Sequence, residues 1–338
     1  MRTNLRNSAS LAFATMLAIA TGGGAANAEP VKIRAAWIAT PASLIPILFA
    51  KPGLAKHQGV TYQFEELHFQ GTPPEVTALA AGEIEIATLN FATLPIAIEN
   101  AGLTDIRVIA DETQDGVGDY ATVQYQVLKD SPFKKPEDLK GKIVAVNAVG
   151  TGVDIGLRTL MSKHGLQAGR DYTVIEVPFP SMKAVLVDHK TDLMTSALPF
   201  NLLPDWVEAA RTLFTLKQAM GGTELSVWEV REPFLQKNRA ALVDLLEDMV
   251  RSYRWYADPA NHKEAVAILA AYTKQPAERL DWAFTKTDAF RDPNGLPNLP
   301  MLQSNVNAVK ALGIVKTDLD VTKYADLSLV KEAALRLK

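Results

Sequence analysis

Cysteine is absent from all 338 residues, and histidine is scarce, with only five. The first absence excludes disulfide bridges and a lipid-tethered N-terminal cysteine. The histidines, at positions 57, 68, 164, 189 and 262, show no metal-ligand spacing, so no metal site and no cofactor are expected. His164 and His189 fall on the apolar side of predicted helices and are expected to pack in the core. Charge of either sign is not in excess: the formal net charge is −3 and the isoelectric point near 6.0, which gives no reason to expect nucleic acid. No G-x-S-x-G elbow, H-E-x-x-H pair or P-loop occurs, and no twin-arginine pair stands near the N-terminus. The acidic pairs Glu65-Glu66 and Asp111-Glu112 read as solvated loop or strand-edge charges.

What is present begins with an export pattern. Arg2 and Arg6 precede a short apolar run, Leu11 to Ala20, and Ala26-Asn27-Ala28 forms a small-residue cleavage site before Glu29. About ten apolar residues are too few to span a bilayer. The reading is a cleavable general-secretory signal over 1–28 and a periplasmic mature protein. Even without that segment, the chain exceeds the roughly 250–300 residues at which single cores divide, so two domains are expected.

The most informative stretch runs from Asp138 to Ala197. An apolar strand (Ile143 to Val146) feeds the turn Gly150-Thr151-Gly152, which opens an amphipathic helix stopped by Gly165. A second strand (Tyr172 to Val177), a second helix and a third strand complete a βαβαβ unit, whose crossovers demand a parallel sheet. The region after Val31 echoes this. Strands are predicted at Val31–Trp37, Val60–Phe69, Glu83–Leu89 and Ile106–Ala110. Helices are predicted to open at Thr40-Pro41, at a Thr72/Glu75 capping box and at Asn90-Phe91-Ala92-Thr93. Thr122–Leu128 and Gly221–Val230 read as two crossings between lobes. A long helix over Pro233–Tyr256 and further helices from Ala260, Pro276, Leu299 and Leu327 are expected to pack on the first lobe. The aromatic stripe Tyr253, Trp255 and Tyr256 reads as core.

The segments Asp138-Leu139-Lys140-Gly141-Lys142, Val144-Ala145-Val146, Gly150-Thr151, Val177-Pro178 and Lys190-Thr191-Asp192 resemble a known family. It is the periplasmic solute-binding proteins of ABC importers, in the branch that takes taurine, alkanesulfonates and nitrate. The resemblance extends from Val31 to Phe234, with Lys190 where that branch usually carries glycine. It implies a type II periplasmic binding fold: two α/β lobes joined by two hinge strands with a ligand cleft between them. The lobes would comprise 29–122 with 225–338, and 123–224. It further implies a monomer that delivers a small ligand to an inner-membrane permease with its ATPase, and no enzymatic activity.

In such a cleft, helix N-termini supply N–H groups and about half a positive charge each. The candidates are Thr40, Ser43, Thr72, Asn90, Gly150, Thr151 and Gly152, with Leu198 favoured by its place after the last strand of the second lobe. Trp37, Phe69, Phe91, Phe179 and Phe200 sit at strand ends where cleft walls form, and Trp228, near the second crossing, either walls the cleft or braces the hinge. So much apolar wall suits an organic anion, a sulfonate or a carboxylate, better than nitrate or bicarbonate. Asp154, in the first turn of its helix, either complements the helix dipole or receives an amine. Three alternatives stand beside this reading: pyrimidine (thiamine-precursor) binding on the same fold, a ligand sensor, and a dinucleotide enzyme built on Gly150-x-Gly152 with Glu176. The last is weakened by a third glycine one place late, at Gly156.

Overall fold

The computed structural model describes residues 29–338, so the expected signal segment lies outside the described residues. The first lobe opens with β1 (Val31–Trp37) and β2 (Tyr62–His68), paired in parallel in full register. Then come α1 (Thr72–Ala81), α2 (Thr93–Glu99) and β3 (Ile106–Asp115). The chain next crosses into a five-stranded sheet. That sheet comprises β4 (Gln124–Leu128), β5 (Ile143–Val146), α3 (Gly152–Lys163), β6 (Thr173–Glu176), α4 (Phe179–Val187), β7 (Leu193–Ser196), α5 (Pro204–Ala209) and β8 (Ala210–Thr215) with its helices. After α6 (Leu216–Met220) the chain returns as β9 (Thr223–Arg231), antiparallel to β3. The tail is helical: α7 (Glu232–Ala257), α8 (His262–Thr273), α9 (Leu299–Ala311) and α10 (Ser328–Leu335).

The strand order of the large sheet is β6-β5-β7-β4-β8. β5 is parallel to both β6 and β7, as the βαβαβ reading requires, whereas β4 is antiparallel to its neighbours. In the first lobe the predicted strand at Glu83–Leu89 is reduced to bridges. Ile86 pairs with Ala35, Ala87 with Glu229, and Asn90 with Ser226, so this segment laces the β1–β2 pair to the β3–β9 pair. Residues Leu242, Leu245, Leu246, Met249, Tyr253 and Tyr256 of α7 are buried in one cluster, with Trp255 packed against it. Each large apolar side chain so buried stabilises the fold by about 1.5–3 kcal/mol. Among the described residues, no helix is long and apolar enough to cross a membrane.

Several expectations are corrected. No α-helix starts at Thr40-Pro41; the chain turns there and makes only a short 3₁₀ segment, Ile45–Ile47. Pro46 would fall in the interior of a helix begun at Thr40-Pro41, where it has no N–H to give and its ring clashes with the preceding turn. The helix expected from Pro276 is likewise one 3₁₀ turn, Ala277–Arg279. The crossings are turns rather than strands. Gln124–Leu128 lies inside the second sheet, Thr223–Arg231 pairs with β3, and the passages between lobes run through Gly116 to Val123 and Gly221-Gly222. His164 and His189 are exposed; His164 bonds Glu137 at 2.7 Å.

Candidate functional site

A cavity of about 130 Å³ opens between the lobes. At about 30 Å³ per water in the liquid, it holds on the order of four water-sized groups. The first lobe contributes the loop after β1 (Ile38, Ala39, Ala42, Ser43), Thr72, Thr88 and Asn90, and from the paired strands Glu112, Thr113, Leu225 and Ser226. The second lobe contributes Val123, Asn147, Thr151, Gly152, Val153, Phe179, Ala197 and Leu198. Of the predicted residues, the cavity therefore gathers Ser43, Thr72, Asn90, Thr151, Gly152, Phe179 and Leu198.

The polar groups there are held by local turns and by partners farther along the chain. Asn90 Oδ1 accepts the N–H groups of Ala92 and Thr93 at 2.9 and 3.0 Å, closing the start of α2. Its Nδ2 donates to Thr72 Oγ1 at 2.7 Å, and that hydroxyl lies 2.6 Å from Thr93 Oγ1. The Thr72/Glu75 capping box is not formed. Glu75 is fully buried and accepts Thr88 N–H at 2.8 Å instead. Glu229, also fully buried, accepts the next amide, Leu89, at 3.0 Å. Two carboxyl groups thus fix the segment that delivers Thr88 and Asn90 to the cavity. Burial pushes Glu75 up to about 8 and Glu229 well above the ordinary range, against the pull of those hydrogen bonds.

On the other wall, no side chain caps α3. The Thr151 hydroxyl turns back to donate to Ala148 O at 2.8 Å and Asn147 Oδ1 at 3.1 Å. The first-turn N–H groups at Gly152 and Val153, both lining the cavity, are left without a side-chain acceptor. Asp154 is occupied: it accepts Gly150 N–H at 2.9 Å and Arg158 Nε at 2.7 Å. Burial still raises its carboxyl, opposed by those two partners. Asp154 is fully buried and does not line the cavity, so a ligand amine there does not meet it.

Five predicted residues stand outside the lining. Phe91 is buried in the first-lobe core, its ring edge 3.0 Å from where a Cβ on Gly152 would lie. Trp37 packs on His68 and Tyr272, with ring centroids 4.6 and 6.2 Å away. Phe200 stacks behind Phe179 at 5.7 Å and an interplanar angle of 17°. Gly150, with φ +83°, faces Ile96 of the first lobe. Thr40 is buried with its hydroxyl unpaired, and with Pro41 it is skipped by the lining, which takes Ala39 before and Ala42 after; Arg291 holds that loop through the carbonyls of Pro41 and Ala42.

Sequence reading missed the strand wall, above all Glu112. It is 2 % exposed, not solvated, and takes Trp228 Nε1 and the Tyr253 hydroxyl on Oε2. Trp228 braces this acid from the core. The signal was there: Ile106–Asp115 carries acids inside a strand whose residues are almost all buried. Among the described residues, no lysine or arginine lines the cavity. Also among them, His57, Asp244 and Glu247 are close enough to share a metal ion, a grouping that linear spacing did not reveal. Arg251 and Arg336 already pair with its carboxylates.

Residues 26–270 match the model of the NMT1-like family. No curated protein matches the chain in sequence. Among solved structures it is similar to the alkanesulfonate-binding protein SsuA from Xanthomonas axonopodis pv. citri bound to MOPS. That likeness has a TM-score of 0.70 at 15% identity, covering 89% of this chain and 100% of that one. The periplasmic nitrate-binding protein NrtA from Synechocystis PCC 6803 gives 0.70 at 18%, over 92% of this chain and 90% of the other. The desulfurization enzyme DSZB gives 0.64 at 13%, over 91% and 100%. The fold is that of two-lobed periplasmic binding proteins, and it also carries an enzyme.

Proposed function

The chain belongs to the NMT1-like family, and on that premise we propose that it is the solute-binding component of an ABC importer that captures a small organic anion. The observation that carries this is the N-terminus of α3. Its first-turn N–H groups line an interlobe cavity, while the one hydroxyl placed to cap them is turned away. A sulfonate or carboxylate head fits that electropositive turn without a formal cation. Phe179, Leu198 and Leu225 offer an apolar wall for its carbon body, and the volume exceeds what nitrate needs. Ser43, Thr72 and Asn90 face the same ligand from the first lobe.

In this reading the lobes divide near 122/123 and 224/225, and the protein acts as a periplasmic monomer exported with cleavage after Ala28. It presents its closed form to a permease with its ATPase, and it is not an enzyme. Ligand contacts made only in the closed form drive closure. A second reading, pyrimidine binding on the same fold, is favoured by one observation: the only formal charge on the cavity wall among the described residues is the carboxylate of Glu112.

Thermal unfolding of the chain from Glu29 onward tests the proposal. The panel is alkane- and arylsulfonates, carboxylates, nitrate, pyrimidines and NAD. A ligand at about a thousand times its Kd stabilises by roughly 4 kcal/mol, a shift of several degrees. A shift with organic anions is the expected result. A shift with NAD alone overturns the proposal, and one with neutral pyrimidines alone moves it to the second reading.

A further inference from the structure

Among the described residues, Glu112 is the one side chain on the cavity wall with a buried polar atom that lacks a hydrogen-bond partner. Its Oε2 serves two buried donors, Trp228 Nε1 and Tyr253 Oη, the latter at 3.0 Å. Its Oε1 is buried and has no hydrogen-bond partner. A buried carboxylate oxygen left without a donor loses the hydrogen bonds that water would give it. The neighbouring wall does not relieve it: the Ser226 hydroxyl is spent on Thr88 O at 3.1 Å, and the Thr88 hydroxyl on Glu75 and Ala36 O. An anionic oxygen placed beside Glu112 would add repulsion. A donor N–H would complete it.

We infer that Glu112 is a specificity residue that accepts an N–H of the ligand, so that the preferred solute carries an amino or ammonium nitrogen as well as its anionic head. This rests on the anion reading for the head group at α3, but the Glu112 contact is independent of it. The ligand spans the cleft, with its acid on the second lobe and its nitrogen on the β3 wall of the first. A molecule so held ties the two lobes with opposite charges at its ends, a pairing that neither nitrate nor a plain alkanesulfonate offers. Asp154, which also suggested an amine site, is paired with Gly150 and Arg158, fully buried and outside the cavity lining.

The test is calorimetric titration of the chain with matched pairs: taurine against ethanesulfonate, 4-aminobenzenesulfonate against benzenesulfonate, and 3-aminobenzoate against benzoate. 4-Aminopyrimidine is added as a donor without an acid. For at least one pair, the amino member should bind about tenfold tighter or more, the size of a hydrogen bond to a charged group. In Glu112→Gln that preference should shrink to within about twofold. Apo-state unfolding of the variant checks that glutamine still satisfies Trp228 and Tyr253, and the wild-type pairs stand alone if it does not fold. Equal binding within every pair overturns the inference and leaves the anion reading intact. Binding of 4-aminopyrimidine alone, lost in Glu112→Gln, keeps Glu112 as the acceptor of a ligand N–H and overturns the anionic head. No binding in any arm overturns both.

Discussion

Glu75 shows how much a single buried acid governs. Its carboxyl titrates near 4.5 in an exposed setting and about 8 here, because burial outweighs the bonds from Thr88. The folded state therefore holds this proton more tightly than the unfolded state. Its contribution to stability is complete below about 4.5 and is lost as pH rises toward about 8. Asp111, pushed up to about 7 by burial, acts in the same direction, as do Glu224 and Glu229. Denaturant unfolding across pH should show stability falling over this window. Glu75→Gln should match the wild type at pH 4.5 and exceed it by on the order of a few kcal/mol at pH 9. A variant that is less stable at pH 9 would show that the charge is compensated. His189 is a smaller case: an exposed residue at φ +55° after α4, a conformation that costs side chains about 1 kcal/mol. His189→Gly should raise Tm by one to a few degrees, on the order of 2–4 °C per kcal/mol.

Among the elements, α3 was the most legible in the sequence, and the reason is locality. Ile143–Val146, the glycine turn and the apolar spacing of the helix all act within some twenty residues. What sequence could not convey were partners far along the chain. Glu75 leaves its expected cap for an amide thirteen residues on, and Glu112 is held by Trp228 and Tyr253, 116 and 141 residues away. The loop after Thr40 depends on Arg291 in the same way. Within α3, Gly156 permits the helix to lie against the sheet: a Cβ there would overlap Leu216 and the Tyr125 hydroxyl. Tyr125 donates to Val153 O at 2.8 Å, tying β4 to the first turn of the helix. Gly156→Ala should cost about 1–3 kcal/mol by overpacking and weaken ligand binding by displacing that turn. A chemical-denaturation midpoint that does not move would show that the helix shifts freely.

At the scale of the whole molecule, the lobes approach each other through residues without side chains. Gly152 sits against Phe91 and Asn90, Gly150 against Ile96, and Gly71 against Asn147 and Ala148. The second-lobe turn was legible from its glycines, but its seat on the first lobe was not, because nothing local in Phe91 marks it as a stop. A bulky residue at Gly152 would strike the Phe91 ring before the cleft shuts. Gly152→Leu should therefore leave apo Tm within a few degrees of wild type, yet reduce ligand affinity tenfold or more. Small-angle scattering with saturating ligand should show the wild type contracting and the variant not. Contraction of the variant would mean that the lobes meet elsewhere.

The two passages between the lobes touch: a Cβ on Gly116 would lie 2.6 Å from the carbonyl oxygen of Gly221. The chain thus leaves the first lobe and re-enters it at one point. Topologically it is a host with a guest spliced into a single loop, not two bodies in series. A guest with adjoining ends is a cassette. Joining residue 116 to 221 through a short linker would restore the host's continuity, and grafting the corresponding excursion from another protein of this fold would recombine one half of a binding site with a different other half.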